Sequence, residues 1–279
     1  MAQQKTIVLT GASDGIGAAA ARQLTGHRLI LVGRSPAKTA AVAGALGAEH
    51  HVADFARLDG VRELAARIRE TADHVDVLAN NAGGVLGRRE LTVDGIEKTL
   101  QVNHLAPFLL THLLLDLLQA GEGSVVNTSS SGARLMSRLD ISDVQNERSY
   151  RPGRAYGDAK LANILFTRGL QARYSSTGIN SVAFDPGNVR TNFAAGSSSL
   201  VRLVYRTPLS RLVLIPAEKG GANLAFFVDG TAGTTWLPGR FYTQTALATP
   251  GQTNPRIFDD ALVDALWTQS AALVGLPAA

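Results

Sequence analysis

Short runs of β-branched and aliphatic residues recur along this chain at intervals filled by helix-forming stretches, and this alternation limits its fold more than any other feature. The runs are KTIVLT (5–10), RLILVG (28–33), AEHHVAD (48–54), VDVLAN (75–80), GSVVNTSS (123–130), INSVAFDPG (179–187) and GRFYT (239–243). Between them lie IGAAAARQLTG, PAKTAAVAGAL, RLDGVRELAARIRE, GIEKTLQVNHLAPFLLTHLLLDLLQ, AYGDAKLANILFTRGLQARYS and AEKGGANLAFFV. Near-continuous apolar strands separated by helices predict a mostly parallel sheet covered on both faces. The expected fold is α/β, doubly wound, with about seven strands. No solenoid-period repeat and no Gly/Ser/Pro linker divides the chain, so residues 1–279 are expected to form one domain. Two irregular insertions, at about 132–154 and 192–216, interrupt the alternation. Both leave from carboxyl ends of strands, where open α/β sheets bind ligands, and both are expected to be substrate walls.

The hydrophobic fraction of 45% over 279 residues suffices for one large core. The absence of cysteine excludes disulfides and thiolate metal sites. His27, His50, His51, His74, His104 and His112 show no metal-ligand spacing with acidic partners, so no metal is expected. The start MAQQKTIVLT runs into a strand without a charged n-region or apolar anchor. The longest apolar segment, Leu105 to Ala120, contains His112 and Asp116 and is too short to span a bilayer. A cytoplasmic protein with no stable membrane insertion is expected. The 27 basic and 23 acidic residues are dispersed, without a basic run or interleaved aromatics, so nucleic acid is not an expected partner.

TGASDGIG (10–17) follows the first strand and opens the first helix. Gly11 permits the turn, Gly15 lets the backbone approach a pyrophosphate, and Gly17 permits close helix packing, while the helix N-terminus offers N–H groups and the positive end of its dipole. In this strand-turn-helix setting the loop predicts the dinucleotide-binding, Rossmann form of the doubly wound fold, with a merely tight βα turn as the alternative. A carboxylate after the second strand would hold a ribose 2′-hydroxyl, whereas an arginine accommodates a 2′-phosphate. The chain reads VGRSPAK there, with Arg34, Ser35 and Lys38 and no acid. NADP(H) is therefore expected over NAD(H), with Asp14 in the glycine loop as a counter-indication.

AYGDAK (155–160) places Tyr156 four residues before Lys160, on one helix face. By itself this spacing suits a solvated face as well as a chemical pair. With a phenol pKa of about 10, proton exchange near neutrality needs a nearby cation to stabilise the phenolate.

TGASDGIG, NNAG (80–83), VNTSS (126–130), YGDAK (156–160) and DPGNVRT (185–191) stand in an order that resembles the short-chain dehydrogenase/reductase family. The helix GDAKLANILFTRGL and the ending LWTQSAALVGL resemble its retinol dehydrogenase-like and WW-domain oxidoreductase-like subgroup. The resemblance implies an oxidoreductase that interconverts a carbonyl and an alcohol on a small-molecule substrate. It implies that Tyr156 is the general acid/base, that Lys160 also holds the nicotinamide ribose, and that Ser130 binds the reacting oxygen, with Ser129 and Ser131 as rivals. Asn103 matches the asparagine that bends its helix and holds a relay water. Cofactor contacts are implied for Gly11, Ser13, Asp14, Gly15, Ile16, Gly17, Arg34, Asp54, Phe55, Asn81, Ala82, Gly83, Tyr156, Lys160, Pro186, Gly187, Val189 and Thr191. Asp185 and Asp158 depart from the family pattern, which often has His and Ser there.

The 192–216 segment mixes Leu, Val and Tyr with Arg202, Arg206 and Arg211, which suits a lid over an apolar substrate or a membrane-surface helix. Homodimer or homotetramer formation through the 101–119 and Tyr156 helices is implied by family analogy, although burial within one chain yields the same apolar pattern. Two rivals stand beside the reductase. A catalytically silent NADP-binding sensor would commonly lack the Tyr or Lys that this chain keeps. An isomerase or lyase of the extended type would have a shorter glycine loop and a larger C-terminal domain.

Overall fold

The first apolar run forms the centre of the sheet. In a computed structural model that describes residues 4–187 and 215–277, the strands are β1 (Thr6–Thr10), β2 (Arg28–Gly33), β3 (Glu49–Val52), β4 (Val77–Asn80), β5 (Ser124–Thr128), β6 (Asn180–Asp185), β7 (Phe241–Thr243) and β8 (Ala246–Leu247). They form one sheet in the order β3-β2-β1-β4-β5-β6-β7-β8. Every pairing is parallel except β7 with β8. The eighth strand was not expected: it has two residues, too few for periodicity, and follows a turn at Gln244 with φ 55°.

The helices are α1 (Gly15–Gln23), α2 (Pro36–Leu46), α3 (Leu58–Thr71), α4 (Lys98–Leu100), α5 (Ala106–Leu113), α6 (Leu115–Ala120), α7 (Gly132–Leu135), α8 (Pro152–Tyr174), α9 (Ala217–Asp229) and α10 (Asp260–Leu273). Side-chain alternation along the strands divides the core. Val8, Ile30, Leu78 and Val125 face α3, α5, α8 and α10, whereas Ile7, Leu9, Leu31 and Val126 face α1 and α9. Each such fully buried side chain contributes about 2 kcal/mol relative to exposure. Both faces of the sheet are therefore covered, and chain direction reverses its winding between β1 and β4, which opens a crevice at their carboxyl ends.

The expected single helix over 95–119 is instead broken. Gln101–Leu105 forms a π-helical turn between α4 and α5, and Ala106 N–H reaches back to the Gln101 carbonyl. Pro107 has no N–H for the carbonyl four residues earlier, which is that of Asn103, and Asn163 Nδ2 donates to that oxygen at 3.0 Å instead. Leu105, Phe108, Leu109, Leu110, Leu114 and Leu118 are all buried within the one chain, which accounts for the apolar stripe without a second copy. Among the described residues no helix is long and apolar enough to cross a membrane.

Candidate active site

The glycine loop joins β1 to α1 at the crevice. Gly11 has φ 70° and Gly15 φ 55°, both in the left-handed region that favours glycine. A Cβ on Gly17 would lie 2.3 Å from the Gly11 carbonyl oxygen, so the third glycine is needed for the loop to close on itself as well as for packing. Ile16 packs beside the second core cluster. Asp14 caps α1 by accepting the Gly15 N–H at 2.8 Å, and it also accepts from Lys38 Nζ at 2.7 Å. Ser13 lies over the end of β2, where a Cβ on Gly33 would meet its Oγ at 3.2 Å, and Arg34 is exposed immediately beyond. A helix N-terminus, two left-handed glycines and nearby cations fit a dinucleotide pyrophosphate.

Asp54 is exposed and its Oδ1 accepts the Ala56 N–H at 3.0 Å, closing the turn into α3. Phe55 turns its ring into the core at 5% exposure. Asn81 ties strand ends together: its Nδ2 donates to the Thr10 carbonyl at 3.0 Å, and the N–H groups of Asn81 and Ala82 both donate to Thr10 Oγ1 at 3.0 Å. Gly83 then passes between two further candidates. A Cβ there would lie 2.5 Å from Asn103 Oδ1 and 3.2 Å from Lys160 Nζ.

Asn103 is held by three hydrogen bonds. Its Nδ2 donates to the carbonyls of Gly84 at 3.0 Å and Thr99 at 2.9 Å, and its Oδ1 accepts the Gly84 N–H at 2.9 Å. Lys160 Nζ donates to the Thr128 carbonyl at 3.1 Å and lies 5.6 Å from the Tyr156 ring centroid. Both side chains are buried, Tyr156 at 4% and Lys160 at 3% exposure, so this pair is not a solvated face. Burial pushes the Lys160 ammonium down to about 8, low for a lysine yet still largely charged at neutral pH.

The three serines separate by partner. Ser129 is buried and donates its hydroxyl to the Lys160 carbonyl at 2.7 Å, which makes it a tie between β5 and α8. Ser131 donates its N–H to Asp185 Oδ2 at 3.0 Å. Ser130 is half-buried and its Oγ accepts the Gly132 N–H at 3.1 Å. A Cβ placed on Gly132 would lie 3.4 Å from Ser130 Oγ, 3.2 Å from Tyr156 Cε1 and 2.8 Å from Met136 Cε, so the hydroxyl and the phenol ring edge both approach Gly132 beside Met136.

Pro186 and Gly187 turn beside this space. Asn223 on α9 donates to the Pro186 carbonyl at 3.1 Å, and the Gly187 N–H reaches Asp185 Oδ1 at 3.0 Å. Burial raises the Asp185 carboxyl above its ordinary range, against the two N–H groups that favour its charged form. Val189, Thr191 and most of the 192–216 insertion lie outside the described residues.

Asn163 was missed by sequence reasoning. Its Nδ2 donates to the carbonyls of Asn103 and Thr128, and its Oδ1 faces His104 Nδ1 at 3.2 Å. Since Asn163 Nδ2 is committed to carbonyls, His104 Nδ1 is the donor to Oδ1, and its Nε2 accepts from Ser270 Oγ at 2.9 Å. A signal existed: Tyr156, Lys160, Asn163 and Thr167 form a polar stripe at helical spacing along α8. The clamp on α7 from the C-terminal segment, where Asn254 Nδ2 donates to the Ala133 carbonyl at 2.9 Å, carried no local signal.

The sequence profile of the short chain dehydrogenase family matches residues 5–200. A protein of Streptomyces sp. strain C5 provisionally named a daunorubicin C-13 ketoreductase is 36% identical over 280 residues, covering 97% of this chain and 93% of its own. Human retinol dehydrogenase 13 is 34% identical over 286 residues, covering 98% of this chain and 86% of its own. The solved RhlG/NADP active-site complex of Pseudomonas aeruginosa superposes with a TM-score of 0.68 at 25% identity, over 86% of this chain and 94% of that one. The chain belongs to the short-chain dehydrogenase/reductase family, in its retinol dehydrogenase-like subgroup, and is an oxidoreductase acting on CH–OH groups.

Proposed function

We propose that the protein interconverts an aldehyde or ketone and its alcohol with NADP(H), that its substrate is rather apolar, and that Tyr156 is the general acid/base. The observation that carries this reading is the buried Lys160 ammonium 5.6 Å from the Tyr156 ring. Bound NADP(H) supplies or accepts the hydride. In the reductive direction the Tyr156 phenol gives its proton to the carbonyl oxygen as that oxygen gains charge, and Lys160 stabilises the phenolate left behind. Ser130 donates its hydroxyl to the same oxygen and keeps it beside the phenol. Asn103 holds the Gly84 backbone by two hydrogen bonds, which keeps the Gly83 turn against Lys160.

Arg34 and the absence of an acid after β2 support NADP(H), as does the likeness to an NADP-complexed structure. In this reading the insertion at 132–154 forms one substrate wall. Leu135 and Met136, at 58% and 40% exposure, lie at its start beside Gly132, and an apolar substrate would cover them. A polycyclic ketone or retinoid, as the names of the relatives suggest, has that character.

The test follows NADPH oxidation over a panel of aldehydes and ketones, from short polar to long-chain and polycyclic, with Tyr156→Phe run in parallel. Turnover that favours apolar members and falls by about a hundred-fold or more in Tyr156→Phe is expected. NADPH binding without any turnover would instead identify a dinucleotide sensor, and equal affinity for NADH would remove the cofactor preference.

A further inference from the structure

We propose that Asp158 is a positioning residue: it locks segment Ser137–Asn146 of the substrate wall onto the Tyr156 helix and thereby sets the size of carbonyl compound the site accepts. The proposal deepens the reductase reading and rests on it for the substrate class. Asp158 follows Tyr156 by two residues on α8, so its side chain leaves the helix on a different face, and it is 2% exposed. Its hydrogen-bond partners all come from Ser137–Asn146. Oδ1 accepts the Ser137 hydroxyl at 2.7 Å and the Arg138 N–H at 2.7 Å, while Oδ2 accepts from Asn146 Nδ2 at 3.2 Å and lies 3.5 Å from Arg154 Nε. One carboxylate thus closes both ends of the segment, across the turn at Ile141–Asp143.

The chemistry of the partners explains the residue type. Donors converge on both oxygens, and a carboxylate is the side chain that accepts at both. A serine at this position, shorter and with one oxygen, would reach fewer of them. The backbone on either side leaves little slack. A Cβ on Gly157 would lie 2.7 Å from the Ser137 nitrogen and 2.8 Å from the Gly132 carbonyl oxygen, so α7 and its extension rest directly on α8. Independently, Asn254 Nδ2 holds the Ala133 carbonyl and the Arg256 guanidinium donates to the Leu139 carbonyl. The wall is thus held both by Asp158 and by the 254–256 segment. Its front end at Gly132 borders both Ser130 Oγ and Tyr156 Cε1, so a shift of the wall changes the space beside the reacting oxygen.

The experiment compares wild type with Asp158→Ala, Asp158→Asn and Ser137→Ala in the NADPH-bound protein. Hydrogen exchange is read in peptides covering 137–147 and 10–17, and kcat/KM is read for a long-chain or polycyclic carbonyl against a short one. In Asp158→Ala, which removes three hydrogen bonds, exchange in 137–147 should rise at least about ten-fold, with the 10–17 peptide unchanged. The bulky-to-short ratio of kcat/KM should move by a similar factor while NADPH affinity holds. Asp158→Asn should recover part of both effects, because Asn146 Oδ1, buried and without a partner, can turn to accept the new amide. Ser137→Ala should loosen the same peptides less, without touching α8. Unchanged exchange at 137–147, equal acceleration in both peptides, or a loosened segment with unaltered selectivity overturns the proposal. If wild type turns over no carbonyl, the reductase reading fails, and the exchange contrast still decides whether Asp158 anchors the segment.

Discussion

Lys160 Nζ donates to the Thr128 carbonyl at 3.1 Å while facing the Tyr156 ring 5.6 Å from its centroid, so one buried ammonium joins the end of β5 to the candidate acid. Keeping that charge buried opposes folding. The folded-state pKa of about 8 lies below the ordinary 10.5, so the unfolded chain binds more protons between these values. The cost is complete below pH 8 and disappears as pH rises through that window. At about 1.4 kcal/mol per pH unit it is at most about 3 kcal/mol, reduced by the lost hydrogen bond when the lysine is replaced. Lys160→Met is expected to abolish turnover yet raise stability by about 1 kcal/mol at pH 7, measured by urea unfolding without cofactor.

His104 bears on the acid limit of stability. It is buried between Asn163 and Ser270, and desolvation pushes it down to about 4 from the ordinary 6.5, with the Lys160 charge acting in the same direction and the Asn163 hydrogen bond against it. The unfolded chain binds the additional proton here, so stability is full above pH 6.5 and falls as pH drops towards 4, by up to about 3 kcal/mol. His104→Gln should flatten this slope in unfolding curves taken at pH 4.5 and 7. An unchanged slope would place the acid sensitivity elsewhere.

Cofactor choice is testable at the β1–α1 and β2–α2 corner. Arg34→Ala should weaken NADPH binding about ten-fold, as expected for one charge-assisted hydrogen bond, and leave NADH affinity nearly unchanged. Asp14→Asn should strengthen NADPH binding, because Lys38 would no longer be paired with a carboxylate at 2.7 Å. Calorimetric titration with both nucleotides checks each change, and added salt should narrow the difference between them.

Gly157 is expected to be intolerant of any side chain. The atoms that a Cβ would strike, Ser137 N, Gly132 O and Met136 C, are all backbone and lie within 2.9 Å. Gly157→Ala should therefore push α7 from α8, cost about 2 kcal/mol despite the higher helix propensity of alanine, and lower turnover together with stability. Thermal unfolding and NADPH oxidation on the same samples measure both.

Most of the sheet and several elements of the site were legible because their signals are local. The seven expected runs all contain strands, and RLILVG forms one from its first residue to its last. Glycine-loop spacing needs only φ/ψ reasoning, and the position of Gly11 at φ 70° agrees with it. The 95–119 stretch reads as one helix bent at Asn103 rather than as separate segments, because apolar periodicity continues through a break made by a proline, an asparagine and a distant amide.

By itself, the sequence determined the doubly wound architecture and the family, because periodicity, turn chemistry and motif order are written within a few residues of one another. Tertiary structure alone decided that Ser129 binds the Lys160 carbonyl while Ser130 approaches the Tyr156 ring edge, that His104 joins Asn163 to Ser270, and that Asp158 binds the Ser137–Asn146 segment. Each of these depends on which donor meets which acceptor across tens or more of intervening residues. That pairing is set by how helices seat on the sheet, and no local pattern encodes it.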